Sequence, residues 1–144
     1  MTVPYLDTSA LAKWYLNEAR SDEFETFIQR QQTAAISRLT VLEFRCLLAR
    51  RRRSGEIDHR METRVFSTFE NDVRGGFLTV HPLDDTHALG ALDILARLKT
   101  HPLRSLDALH LAIARALGIL KIATADRVLA EAATALGIET VRFD

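Results

Sequence analysis

The sequence predicts an α/β domain: a three-layer α/β/α sandwich in which a small, mostly parallel sheet lies between helices. Three observations point there. Short apolar runs of strand length alternate along the chain with amphipathic segments of helical period. At 144 residues there is room for one such domain with a sizeable core, spanning 1–144, and too little for two ordinary ones. A hydrophobic content of 47% with only 3 Pro and 6 Gly belongs to a folded protein rather than a disordered one.

Residues 3–6 form an apolar run closed by Asp7, Thr8 and Ser9, after which Ala10, Leu11, Trp14 and Tyr15 recur at helical spacing. This gives strand, tight junction and helix. Residues 22–31 carry Phe24, Phe27 and Ile28 on one side of a second short helix, and 34–37 are strand-like. Core packing is expected for at least two of Trp14, Tyr15 and Phe24. Thr40 and Glu43 have capping-box spacing at the head of a helix that runs through Leu42, Cys46 and Leu47 to an arginine cluster. Ser54 and Gly55 end that helix. Another follows with Met61, Val65, Phe66 and Phe69 along one side, and the two are expected to form a hairpin before Gly75 and Gly76. Residues 77–80 read as a strand, and Asp84 can cap a helix carrying Ala88, Leu92 and Leu95. A Pro-containing turn at 100–104 leads to a helix over 106–117 closed by Gly118. Residues 119–123 suit a buried parallel strand, 128–136 a helix stopped by Gly137, and 139–142 a last short strand.

The 19 Lys and Arg balance 19 Asp and Glu, which removes a molecule-wide positive field but leaves local patches for nucleic acid. Arg50, Arg51, Arg52 and Arg53 form the densest patch. As a solvated helix end they need no further role; as a functional patch they would contact RNA or a partner. The single cysteine, Cys46, permits no internal disulfide or multi-cysteine metal site and is consistent with a reducing compartment. Four residues after Leu42 on an apolar stripe, it is expected in the core. No apolar run approaches transmembrane length and the start of the chain enters a strand at once, so cytoplasmic residence without membrane association is expected.

The chemistry lies in the acids. Parallel sheets bind ligands beyond the carboxyl ends of their strands, where Asp7 falls. Thr8 or Ser9 beside it can cap the following helix. Ser105-Leu106-Asp107 and Thr124-Ala125-Asp126 repeat the arrangement: a hydroxyl able to cap, then an acid two positions on. Any one of these alone is an ordinary helix-start acid, and Glu43 alone is an N3 glutamate that reaches back to Thr40. Gathered in a cleft, however, such acids must be desolvated and repel one another. A hard divalent cation supplies the missing charge, and magnesium, bound by a few carboxylates and several waters, fits these oxygen donors. His81 and His110 belong to no closely spaced His/Cys set, so zinc has little support; His110 is expected as a packing or hydrogen-bonding residue on a helix face.

The segments Tyr5-Leu6-Asp7-Thr8-Ser9-Ala10-Leu11, Leu39-Thr40-Val41-Leu42-Glu43, Leu106-Asp107-Ala108-Leu109-His110-Leu111-Ala112 and Thr124-Ala125-Asp126-Arg127-Val128-Leu129 resemble, in order and spacing, the motifs of PIN-domain proteins. The likeness is greatest to VapC-type ribonuclease toxins of toxin–antitoxin pairs. It spans nearly the whole chain, and the first and third segments are specific in combination. The resemblance implies a small parallel sheet, usually of five strands, between helices. It also implies that Asp7, Glu43, Asp107 and Asp126 are the family's four acids around Mg²⁺, with Mn²⁺ as substitute. Thr8, Ser9 and Thr124 match hydroxyl positions that orient carboxylates or water. The implied activity is endoribonucleolytic hydrolysis of RNA to a 5′-phosphate and a 3′-hydroxyl. The implied partners are the RNA substrate, a small antitoxin whose C-terminal segment blocks the acidic cleft, and a second copy in a homodimer.

Two other readings compete. A phosphatase-type site would want a second catalytic Asp two positions after Asp7, where Ser9 stands, and a receiver-like phosphotransfer domain would want an acidic pair near the N-terminus, which is absent. A catalytically inactive RNA-binding or protein-interaction module would have no need of all four acids.

Overall fold

The structure is a computed structural model that describes residues 2–144. Among these residues five strands, separated by one or two helices each, and seven helices follow in the order β1 (Tyr5–Leu6), α1 (Thr8–Tyr15), α2 (Ser21–Gln29), β2 (Ala34–Ser37), α3 (Arg38–Arg53), α4 (His59–Arg74), β3 (Leu78–His81), α5 (Asp85–Arg97), α6 (Ser105–Ala116), β4 (Lys121–Thr124), α7 (Arg127–Ala135) and β5 (Glu139–Arg142). Every strand pairing is parallel, as it must be when each connection carries a helix back across the sheet, and the order is β3-β2-β1-β4-β5.

Successive strand residues face opposite ways, and the core divides accordingly. Tyr5, Ala35 and Ile122 face α5, α6 and α7, where they pack with Ile94, Leu111 and Leu129. Leu6, Ala34, Ile36 and Ala123 face the other layer, with Leu11 of α1, Phe24 of α2, Phe44 of α3 and Phe69 of α4. Both faces of the sheet are thus covered and the expected three layers are present. Phe24 is fully buried, while Trp14 and Tyr15 are partly buried against the same core. Strand ends shift by one or two residues from the expected 77–80 and 119–123. Gly118 and Gly137 take φ of 69° and 78° just after α6 and α7, a backbone turn that a side chain would resist.

The strand order reverses beside β1: the chain adds β2 and β3 on one side, then returns to add β4 and β5 on the other. The carboxyl ends of the neighbouring strands β1 and β4 therefore flank the switch point, where two connections diverge and leave a crevice.

Several helix starts differ from expectation, those of α1, α3 and α6 being capped earlier in the chain and that of α7 later. Asp7, not Thr8 or Ser9, is the N-cap of α1 and accepts from Ala10 N; Asp126, not Thr124, is the N-cap of α7 and accepts from Leu129 N. Ser105 is the first residue of α6 rather than its cap, and it is Arg104 that stands at the N-cap. Ser37, not Thr40, caps α3, and Thr40 closes the capping box from within. The helix therefore starts before Thr40, and Glu43 lies too deep in it to act as an N3 residue. Cys46 also departs from expectation, since it is exposed. The core face of α3 is the one bearing Phe44 and Leu48, and Leu42, on the Cys46 side, is 62% exposed.

Candidate active site

Asp7 leaves β1 at the switch point and is only 4% exposed. Its Oδ1 accepts from Ala10 N at 2.9 Å and from Ser9 Oγ at 2.8 Å, and its Oδ2 accepts from Thr124 Oγ1 at 2.6 Å. The hydroxyls are themselves anchored, Ser9 Oγ accepting from Ala125 N at 2.8 Å and Thr124 Oγ1 from Asp126 N at 3.0 Å. The two adjacent strand ends are thus tied through one carboxylate. Burial pushes the Asp7 carboxyl above the usual range, although the His110 imidazole, Thr124, the Ala10 amide and Ser9 all act against it.

Glu43, released from capping, turns to other partners. Its Oε1 accepts from Thr8 Oγ1 at 2.8 Å and lies 2.5 Å from His110 Nε2. Partial burial works to raise the Glu43 pKa, but the His110 hydrogen bond and charge, with Thr8, prevail and hold it below the ordinary value. Asp107, in the first turn of α6, accepts from Arg104 N at 3.2 Å. Its carboxyl is pushed up by burial and by the neighbouring Asp126, against the Arg104 amide.

All four acids line one open hollow of roughly 450 Å³, together with Thr8, Ser9 and His110. Thr124 lies beneath it, fully buried. Its other wall is apolar, made by Leu39, Leu42 and Leu47 of α3 and Leu106 of α6, with Cys46 among them. Of the arginine run, only Arg50 lines the hollow. Arg51 is ion-paired with Glu18 and Glu56, Arg52 is paired with Glu62, and Arg53 is exposed.

The acids share the hollow without closing on a single point: among the described residues no three His, Cys, Asp or Glu side chains form a group that would hold a metal ion. Each carboxylate instead has a protein N–H or O–H donor, which is how like charges coexist at this spacing. The hollow also contains residues that local sequence does not announce. His110 is one turn beyond Asp107 on α6, so helical spacing carries it to the same side, but its partners Tyr5 and Glu43 are remote in the chain. Cys46 and Arg50 follow Glu43 at helical spacing, the one signal that this face of α3 looks on the hollow rather than the core.

Comparison with known proteins adds the family. A search of curated proteins finds no match. Among solved structures, VapC20 of Mycobacterium tuberculosis, a Sarcin-Ricin loop cleaving toxin, superposes with a TM-score of 0.74 at 21% identity, covering 96% of this chain and 98% of that one. FitAcB of Neisseria gonorrhoeae gives 0.70 at 16%, covering 99% and 97%, and a DNA-bound VapBC from Salmonella typhimurium gives 0.67 at 22%, covering both chains in full. At these identities the likeness is one of fold, and the fold is that of VapC- and FitA-type toxin–antitoxin proteins. The family described as PIN domain matches residues 5–135, from the first strand to the end of the last helix, and the chain therefore belongs to the PIN-domain family.

Proposed function

We propose that the chain is a divalent-metal-dependent endoribonuclease and the toxin of a type II toxin–antitoxin pair. The observation that carries this reading is the convergence of Asp7, Glu43, Asp107 and Asp126 on one open hollow at the switch point of the sheet. Membership of the PIN-domain family supports it, as does the fold shared with a toxin that cleaves the Sarcin-Ricin loop.

The donor set suits Mg²⁺ or Mn²⁺. All four acids offer hard oxygen, and Asp7, despite its hydrogen-bond donors, still has its carboxyl pushed up, as expected of a buried anion short of positive charge. Asp7 and Asp107, with Glu43, would hold the ion directly or through water, and Asp126 would complete the set. Because no three of them form a closed cage, much of the coordination would fall to water and substrate phosphate, which Mg²⁺ commonly keeps. Bound there, the ion would supply charge stabilisation and a more acidic water.

The chain's own groups do the positioning. Ser9 and Thr124 fix both oxygens of Asp7, and Thr8 fixes Glu43. Arg50, the arginine on the rim, would take a phosphate of the RNA backbone, with Arg51, Arg52 and Arg53 contributing at longer range. In the hydrolysis, water adds to phosphorus and the bond to the 3′ oxygen breaks, leaving 5′-phosphate and 3′-hydroxyl ends. A cognate antitoxin segment would block the hollow, and a homodimer is proposed as the assembly. No helix among the described residues is long and apolar enough to cross a membrane.

The spread of the acids favours a second reading, an inactive RNA-binding or interaction module. Incubating RNA with the wild type and with Asp7→Asn, in Mg²⁺ or in EDTA, separates the two. The nuclease reading expects cleavage by the wild type in Mg²⁺ alone, with 5′-phosphate ends; RNA binding without turnover in both conditions would establish the module instead.

A further inference from the structure

His110 reaches both β1, which leads into Asp7, and α3, which bears Glu43. It lies on α6, one turn beyond Asp107, and is 3% exposed. Its Nδ1 is 2.7 Å from the hydroxyl of Tyr5, on β1 two residues before Asp7. That hydroxyl in turn donates to Oγ of Ser37, the N-cap of α3, at 2.8 Å. Its Nε2 is 2.5 Å from Glu43 Oε1, further along α3. A carboxylate only accepts, so the imidazole N–H is the donor in this contact. Thr8 donates to the same Oε1 at 2.8 Å, and among the described residues no donor meets Oε2. The two bonds choose an oxygen: Oε1 is held by the protein, and Oε2 is left for whatever enters the hollow.

We propose that His110 is a positioning residue that, through the buried Tyr5–Ser37 link, locks the Glu43 carboxylate with Oε1 engaged and Oε2 presented to the hollow. The role rests on the nuclease reading above and adds to it a residue that touches neither the ion nor the RNA. Outer partners of this kind orient a ligating side chain and sharpen its affinity without joining the coordination.

The two imidazole nitrogens allow the contacts to be separated. A glutamine amide reaches where Nε2 stands, so His110→Gln retains a donor for Glu43. An asparagine amide reaches only where Nδ1 stands, so His110→Asn keeps the Tyr5 side and loses Glu43. Mn²⁺ affinity is measured by calorimetry on the free protein, and the imidazole Nε2–H by ¹⁵N-edited NMR. The proposal expects the dissociation constant to rise about 10- to 100-fold in His110→Asn and to remain within about threefold of the wild type in His110→Gln. It also expects a slowly exchanging Nε2–H that shifts in Glu43→Gln, a comparison that needs no His110 variant to fold. Equal Mn²⁺ affinity in folded His110→Asn and the wild type overturns the role, and an Nε2–H indifferent to Glu43→Gln overturns the contact itself. A wild type that takes up no Mn²⁺ while its Nε2–H still answers Glu43→Gln overturns the nuclease reading and leaves the positioning contact standing.

Discussion

Asp7 caps a helix, ties β1 to β4 and is offered as a ligand, and these roles respond differently to one substitution. Asp7→Asn preserves size and capping ability but removes the charge. Losing a charge interaction of several kcal/mol in the transition state is expected to lower RNA cleavage about 100-fold or more, read from single-turnover rates. The fold should gain. A buried acid whose folded pKa is raised stabilises the protein below its unfolded pKa and loses that contribution as pH rises through the folded value. Without divalent ions, Asp7→Asn is therefore expected to melt at or above the wild type at neutral pH, with the gap closing as the solution is acidified; circular dichroism melts across that range check it. On the rim, Arg50→Ala is expected to reduce the slope of RNA affinity against salt by about 0.7, one phosphate on a single strand. The same slope after Arg50→Ala as before would leave Arg50 a solvated helix residue. The four acids were legible in the sequence because each stands at a helix start or one turn inside one. What Glu43 binds was not legible, since His110 lies 67 residues away and only the fold, which brings α3 and α6 to opposite sides of one hollow, sets it there.

At the scale of elements, α3 matters most, since it carries Glu43, Cys46 and Arg50 along one edge of the hollow. Its start was misread because Ser37 is both the last residue of β2 and the cap of α3, so the strand pattern hid the capping signal. Ser37→Ala is expected to cost about 1–2 kcal/mol in urea unfolding, from a lost cap and a weakened Tyr5 contact. The far end of α3 is clasped to α4 by Glu62, whose side chain is 2% exposed and bonds Arg45 at 3.0 Å and Arg52 at 2.7 Å. The hairpin itself was legible from Ser54 and Gly55; the clasp was not, because nothing local marks Glu62 as buried. The Arg45 hydrogen bond, then Arg52, holds the Glu62 pKa below its usual value against the effect of burial. The resulting stability is present above the unfolded glutamate pKa, about 4.3, and is lost as pH falls through the folded value. Glu62→Gln is expected to be less stable than the wild type at neutral pH, with the difference shrinking in acid.

For the molecule as a whole, the alternation of short apolar runs and amphipathic helices made the layered parallel sheet legible, down to the bounds of β2 and β5. The strand order was not, because it depends on β4 returning to lie beside β1, a pairing across more than a hundred residues that no local pattern encodes. That return is what creates the crevice and sets Thr124 against Asp7. A cation bound there would favour the folded state by linkage, about 2.7 kcal/mol at a hundred times its dissociation constant, or about 10 °C in melting temperature for a chain of this size. The most direct measurement is calorimetric titration of Mn²⁺ into the wild type, Asp7→Asn and Asp107→Asn. Saturable uptake by the wild type that is lost or severely weakened in both variants is expected; equal uptake by all three proteins, or none by the wild type, would contradict a metal site built on these acids.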